Sequence, residues 1–208
     1  MTSTTKVDWL EDREMPFPRG YRAPNTKERI LVSALRLISE RGSDGFSLNE
    51  VLRKARVSKS SFFHHFRDAD ALCLDCFERC KPLVEPELKA ANYPSVEKLL
   101  LEFGKETEAR TTSRRFFRLI MFFGQRAMSD VRFRQVQVEL TELYQQSLAN
   151  LILEIEPDLR KDSVLEAVGF LLIVSQGVAS HRVLFEDRER MLRIWPHAVR
   201  AALSIMRS

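Results

Sequence analysis

The sequence predicts an all-α fold. Breakers are few: seven glycines and eight prolines in 208 residues, with six of the prolines before residue 95. Beyond the first 25 residues, apolar side chains recur at helical spacing along most of the chain. With 44% hydrophobic and 30% charged residues, the composition is that of a globular protein.

Residues 1–25 read as a flexible basic arm. Pro16, Pro18 and Pro24 oppose helix, no apolar periodicity appears, and Arg19, Arg22, Lys27 and Arg29 lie on or just after its distal part. From Thr26 a helix is predicted, with Ile30, Leu31, Ala34, Leu35 and Ile38 on one face and Gly42 as a left-handed cap. Ser43-Asp44-Gly45 is a turn. Ser47 and Glu50 have the spacing of a capping box, and Leu48, Val51, Leu52 and Ala55 supply the buried face of a short second helix. After the turn Arg56-Val57, Ser58 can cap a third helix from Lys59 to Phe66. Two short helices, a tight turn, and small polar and basic residues opening the second helix form a helix-turn-helix pattern. That motif presents the start of its second helix to base edges.

Asp68 can cap a fourth helix from about Ala69 to Leu83, which Pro82 and Pro86 end or kink. Ser95 starts a fifth, carrying Leu99, Leu100, Leu101 and Phe103. Phe116 to Phe123 is strongly apolar and aromatic. A long helix is expected over Val131 to Ile155, with Val136, Leu140, Leu143, Tyr144, Leu148 and Leu151 inward, stopped by Pro157. Ser163 to Phe185 follows, and Met191 to Met206 forms the last helix, with irregularity expected at Trp195-Pro196. From Ala167 to Ala179 the chain is apolar nearly all round, which calls for burial on every side. Thirteen residues are too few for a bilayer, and no apolar run approaches the ~18–20 residues of a span. Burial between two copies of the chain is the expectation. The domains are thus 1–25, the arm; 26–67, the helix-turn-helix; and 68–208, a helical domain expected to carry dimerisation.

The net charge is only +4, but its distribution is uneven. Residues 19–67 hold eleven Lys or Arg against four Asp or Glu, a net of +7, whereas 68–208 carry −1 and 1–18 carry −2. A basic block of this kind is an electrostatic footprint for a polyanion. The acidic N-terminus has no apolar core and is not a signal peptide, so the cytoplasm is expected.

Residues 27–76 resemble the DNA-binding domain of the tetracycline-repressor (TetR/AcrR) family. The shared pattern is a helix ending in Gly42, the turn Gly45-Phe46-Ser47, a short helix, Val57-Ser58, and the recognition helix Phe63-His64-His65-Phe66. The match covers about a quarter of the chain and is specific as a group. Four positions depart from it: Arg56 stands where Gly is usual, Leu52 for Ala, Phe63 for Tyr, and Ala69 for a phosphate-binding Lys. Arg67 and the arm can compensate for the lost phosphate contacts.

The resemblance implies that Lys59, Ser60, Ser61, Phe63 and His64 face the major groove. Lys can donate to guanine N7 and O6, Ser can serve either partner, and Phe can pack on a thymine methyl. His65, Ser47 and Asn49 are read as phosphate contacts, which position without reading sequence. Phe62 and Phe66 are core. His64 and His65 are neighbours on a helix, about 100° apart, and cannot chelate one metal ion well.

Cys73, Cys76 and Cys80 lie at i, i+3 and i+7 on one helical face with Leu72 and Phe77. Plain core is the first reading, and a thiol or metal sensor the alternative. In the resembling family the middle helices surround an effector cavity. Phe103, Phe117, Met121, Phe122, His181 and Trp195 are named as its lining, and an apolar or aromatic small molecule as its ligand. No cofactor, metal or catalytic constellation is visible, which argues against an enzyme. The expected function is a homodimeric repressor on double-stranded, pseudo-palindromic operator DNA, released by a small apolar effector, with no membrane role.

Overall fold

The computed structural model describes residues 22–84, 88–185 and 189–208, and the described residues form an all-α protein. The helices are α1 (Thr26–Arg41), α2 (Leu48–Ala55), α3 (Lys59–His65), α4 (Ala69–Val84), α5 (Val96–Thr112), α6 (Arg114–Ser129), α7 (Val131–Ile155), α8 (Lys161–Phe185) and α9 (Arg190–Met206). The arm as far as residue 21, and Pro86, lie outside the described residues.

Two compact units emerge, one of Met1–Val84 with Ser113–Glu139 and one of Glu85–Thr112 with Leu140–Ser208. This division differs from the boundary expected at residue 67, because α4, α6 and the start of α7 pack with the three short N-terminal helices. Those helices alone span about 40 residues, close to the lower limit for burying a self-sufficient core.

In the first unit, α1 is the central element. Ile30, Ala34, Leu35 and Ile38 are fully buried, as the periodicity predicts. Asn25 caps the helix, its side chain accepting from the Glu28 N–H at 2.9 Å. Gly42 ends the helix with φ +65° and ψ −149°. The positive φ is as expected, but the ψ is not that of a left-handed helix, and only glycine enters this region readily. α6 lies along α1, where Arg118 donates to the Glu40 carbonyl at 2.6 Å and the Ser43 hydroxyl to Gln125 Oε1 at 2.7 Å. Phe77 of α4 stacks on Phe123 of α6, rings 4.4 Å apart and near-parallel. α4 continues through Pro82 to Val84, so that proline does not end it.

The second unit is built on α8, α9 and α5. Its core includes Leu99, Phe103, Leu148, Ile152, Val164, Val168, Leu171, Trp195 and Ala202. α9 runs unbroken across Trp195-Pro196. Trp195 lies over Gly104 of α5 and donates its indole N–H to the Leu100 carbonyl at 2.7 Å. A Cβ at Gly104 would overlap the indole, so glycine sets the approach of the two helices here. Gln145 ties α7 to α8 by donating to the Leu165 carbonyl at 2.7 Å.

Two expectations are corrected in these helices. Leu143, expected inward on α7, is 48% exposed, because the buried line there runs through Leu140, Leu148 and Ala149. The uninterrupted apolar run of α8 is too short for a bilayer, but a span tolerates a few polar residues. Lys161–His181 is long and apolar enough, by length and composition, to cross a membrane, and 44% of its most apolar stretch is buried within the protein.

Candidate nucleic-acid interface

The helix-turn-helix is assembled by side-chain caps. The Ser47 hydroxyl accepts from the Glu50 N–H at 3.3 Å and starts α2. The same hydroxyl keeps its own proton for an external acceptor. Glu50 is itself drawn toward Arg53, whose guanidinium binds it at 2.7 Å and holds its carboxyl below the usual range. α2 buries Val51, Leu52 and Ala55. Arg56 then adopts a left-handed conformation, φ 54° and ψ 51°, as the family's glycine would. Its N–H donates to Arg53 O, and the Val57 N–H to Leu52 O. Among the described residues Arg56 is the single non-glycine at positive φ. A Cβ costs roughly 1–2 kcal/mol in that region.

Ser58 caps α3, its hydroxyl accepting from the Ser61 N–H at 3.1 Å. Phe62 and Phe66 are buried, rings 5.5 Å apart, and fasten the inner side of α3 to α1. That leaves the opposite side outward. Lys59, Ser60 and His64 are exposed, Phe63 is 50% exposed, and Ser61 and His65 are half-buried. Ser47 and Asn49 are exposed at the start of α2. The structure therefore exposes six of the eight sequence-selected side chains on α3's outer side and the opening turn of α2, and leaves Ser61 and His65 half-buried. An exposed Phe at half its surface is costly to leave in water and is suited to an apolar patch such as a thymine methyl.

Several cations around the motif are more committed than the sequence shows. Lys27 pairs with Asp75 at 2.7 Å and lies over the Phe66 ring at 5.4 Å. Lys54 pairs with Glu40 at 2.7 Å, and Arg67 with Asp68 at 2.9 Å. Lys59 makes no ion pair among the described residues and keeps its ammonium for an outside anion.

The cysteine stripe is core. Cys73, Cys76 and Cys80 are buried and unbridged. Burial pushes the Cys73 and Cys80 thiols up to about 12, and Cys76 well above its ordinary value. A redox sensor needs an accessible thiolate, and these are neither accessible nor ionised. Among the described residues no three His, Cys, Asp or Glu side chains are grouped to hold a metal ion.

The side chains named for an effector pocket are divided between the two units. Phe117, Met121 and Phe122 belong to the first unit, and Phe103, His181 and Trp195 to the second. Phe122 is packed against Phe46 at 5.3 Å, Phe103 is fully buried, and Met121 and His181 are exposed. The second unit instead contains a cleft of about 250 Å³ between α5 and α9. Leu101, Leu192, Trp195 and Pro196 wall it, and Lys98, Glu102 and Lys105 rim it.

Residues 30–76 match the family described as bacterial regulatory proteins, tetR family. Over that stretch, under a quarter of the chain, the protein resembles the tetR family. Over 55 residues it is 38% identical to the HTH-type transcriptional repressor NemR of Escherichia coli K12, a match covering 26% of this chain and 28% of NemR. Over 90 residues it is 26% identical to the biofilm operon icaADBC negative transcriptional regulator IcaR of Staphylococcus aureus, covering 40% of this chain and 48% of IcaR. The chain thus matches only a quarter to a half of these relatives' length. The fold likeness is much longer. A transcriptional regulator from Rhodococcus sp. Rha1 superposes with a TM-score of 0.68 at 17% identity, over 88% of this chain and 96% of that one. A TerR/AcrR-family regulator from Aquifex aeolicus superposes at 0.59 with 23% identity, over 87% and 99%. The tetR head is therefore alike in sequence and fold, and the remaining helices in fold.

Proposed function

We propose that the protein is a homodimeric transcriptional repressor that binds a pseudo-palindromic operator through α3 and is released by a small, largely apolar effector. The observation that carries the DNA reading is the outer side of α3. Lys59, Ser60, Phe63 and His64 stand exposed on a helix whose inner side is fastened by Phe62 and Phe66. The relatives matched over this region are described as a repressor and a negative regulator. Dimerisation is supported by α8 and α9, where Ile173 is 72%, Phe185 62%, Leu192 52% and Ile194 39% exposed. Two such pairs can form a four-helix bundle, and its two-fold axis would make the operator palindromic. Burial there also accounts for the apolarity of α8 without a membrane, which supports a cytoplasmic location. The effector reading rests on the apolar walls of the α5–α9 cleft.

Selection of fragments from a random DNA pool tests this reading. It should return a repeated inverted motif. Replacing Lys59 or His64 by Ala should then reduce the preference for that motif over random DNA by about 1–3 kcal/mol for each lost base contact. Failure to enrich any sequence would remove the repressor reading. Equal losses on both DNAs would move Lys59 and His64 from base reading to phosphate contact.

A further inference from the structure

Arg126 of α6 lies far from the recognition helix in sequence, and nothing in the helix-turn-helix pattern points to it. Its guanidinium is held against three aromatic rings: Phe46 at 5.7 Å, Phe122 at 5.0 Å and Phe133 at 5.4 Å. Its Nη1 donates to Asp70 Oδ1 at 2.6 Å. Phe46, Asp70 and Phe133 each sit where an element begins. Phe46 precedes Ser47, the cap of α2. Asp70 is in the first turn of α4, next to Asp68, whose carboxylate accepts the Ala71 N–H at 2.7 Å. Phe133 is in the first turn of α7, where Asp130 accepts from the Arg132 N–H at 2.9 Å.

From this arrangement we propose that Arg126 is a positioning residue for operator reading: it fixes the angle at which α3 is presented. The chain enters the helix-turn-helix at Phe46 and leaves it at Asp68–Asp70. One planar cation holds both ends to α6, and α3 lies between them. The ion pair alone would do little, because Asp70 is 44% exposed and Arg126 29%. Asp70 also meets Arg132 at 3.3 Å, so its charge keeps a partner when Arg126 is removed. What Arg126 adds is geometry. A flat guanidinium can meet several ring faces while donating in its plane, which a lysine ammonium cannot do. Base reading needs donors placed to within a fraction of an ångström, whereas attraction to phosphates tolerates a looser pose.

The proposal rests on the repressor reading, and the experiment separates the two. Operator selected with the wild-type protein is titrated with wild type, Arg126→Met, Arg126→Lys and Asp70→Asn, each alongside random DNA and a salt series. Arg126→Met keeps bulk and loses the cation. Arg126→Lys keeps the cation and loses the plane. The preference for operator over random DNA should fall about tenfold in Arg126→Met and several-fold in Arg126→Lys. Asp70→Asn should have a smaller effect. Random-DNA affinity and the salt slope should be unchanged, which a general loss of fold would not leave intact. Should Arg126→Met not fold, Arg126→Lys and Asp70→Asn decide. An unaltered preference in folded Arg126→Lys and Asp70→Asn overturns the proposal. A wild-type protein that selects no operator overturns the repressor reading instead.

Discussion

The recognition helix α3 and the helix pair α8–α9 both present side chains to the outside, and they do so in opposite ways. α3 buries Phe62 and exposes Lys59, Ser60 and His64, with Phe63 the one large apolar side chain left half outside. α8 and α9 expose Ile173, Phe185, Leu192 and Ile194 while burying Val168, Leu171, Trp195 and Ala202 on their inner side. The first surface can stay in water and gains when a polyanion arrives, an interaction that salt weakens. The second pays for its exposure continuously and gains when a second apolar surface covers it. One chain thus carries two surfaces that differ in chemistry, each suited to the contact proposed for it.

The largest effect should come from breaking the apolar surface. Ile173→Glu places a charge where two copies are proposed to meet, and each dimer would bury two of them. Association should weaken at least a hundredfold, about 3 kcal/mol or more. Sedimentation at micromolar concentration should show a folded monomer, and operator affinity should fall with it. A dimer of unchanged mass would place the contact elsewhere.

A smaller effect is expected inside the second unit. Gly104→Ala sets a methyl into the Trp195 indole, which is held by its hydrogen bond to Leu100 O. Overpacking of this kind costs roughly 1–3 kcal/mol. Thermal or urea unfolding should report that loss, while a wild-type midpoint would mean that α5 and α9 separate freely. The α3 surface is untouched, so the folded variant should keep the wild-type preference for operator over random DNA.

What can be read from the sequence follows the range of the interactions involved. Ser47 and Ser58 announce their helices because a cap acts over three residues, and the C-terminal end of α7 matches the expected Ile155 for a similarly local reason, Pro157. The outward side chains of α3 are legible through the family resemblance rather than through spacing alone. Leu143 escapes its expected inward position because a 25-residue helix shifts its buried line as it meets different neighbours. Phe103 fits a pocket lining by sequence and is core in the structure, since aromatic residues at helical spacing look alike in both roles, whereas Trp195 is core and also edges the α5–α9 cleft. The Arg126 cluster is invisible in the sequence: Phe46 and Asp70 approach Arg126 only once α6 packs on α1.

The smallest expected effect concerns the turn between α2 and α3, and it runs in the stabilising direction. Arg56 occupies a left-handed conformation, with its Cβ close to the following carbonyl. Its side chain is exposed, and its backbone N–H, which any residue but proline supplies, makes the turn's bond to Arg53 O at 3.3 Å. Arg56→Gly removes the Cβ conflict and keeps that bond. Against this stands the larger entropy of glycine in the unfolded chain, worth about 0.5–1 kcal/mol. Relief of the backbone conflict, about 1–2 kcal/mol, outweighs it. The net should be a gain of a few tenths to about 1 kcal/mol, read as a higher urea midpoint at unchanged slope. Because the substitution also deletes a cation beside the recognition helix, operator and random DNA should both bind somewhat more weakly, with a shallower salt slope. A lower urea midpoint would show that the arginine is held by interactions outweighing its backbone strain.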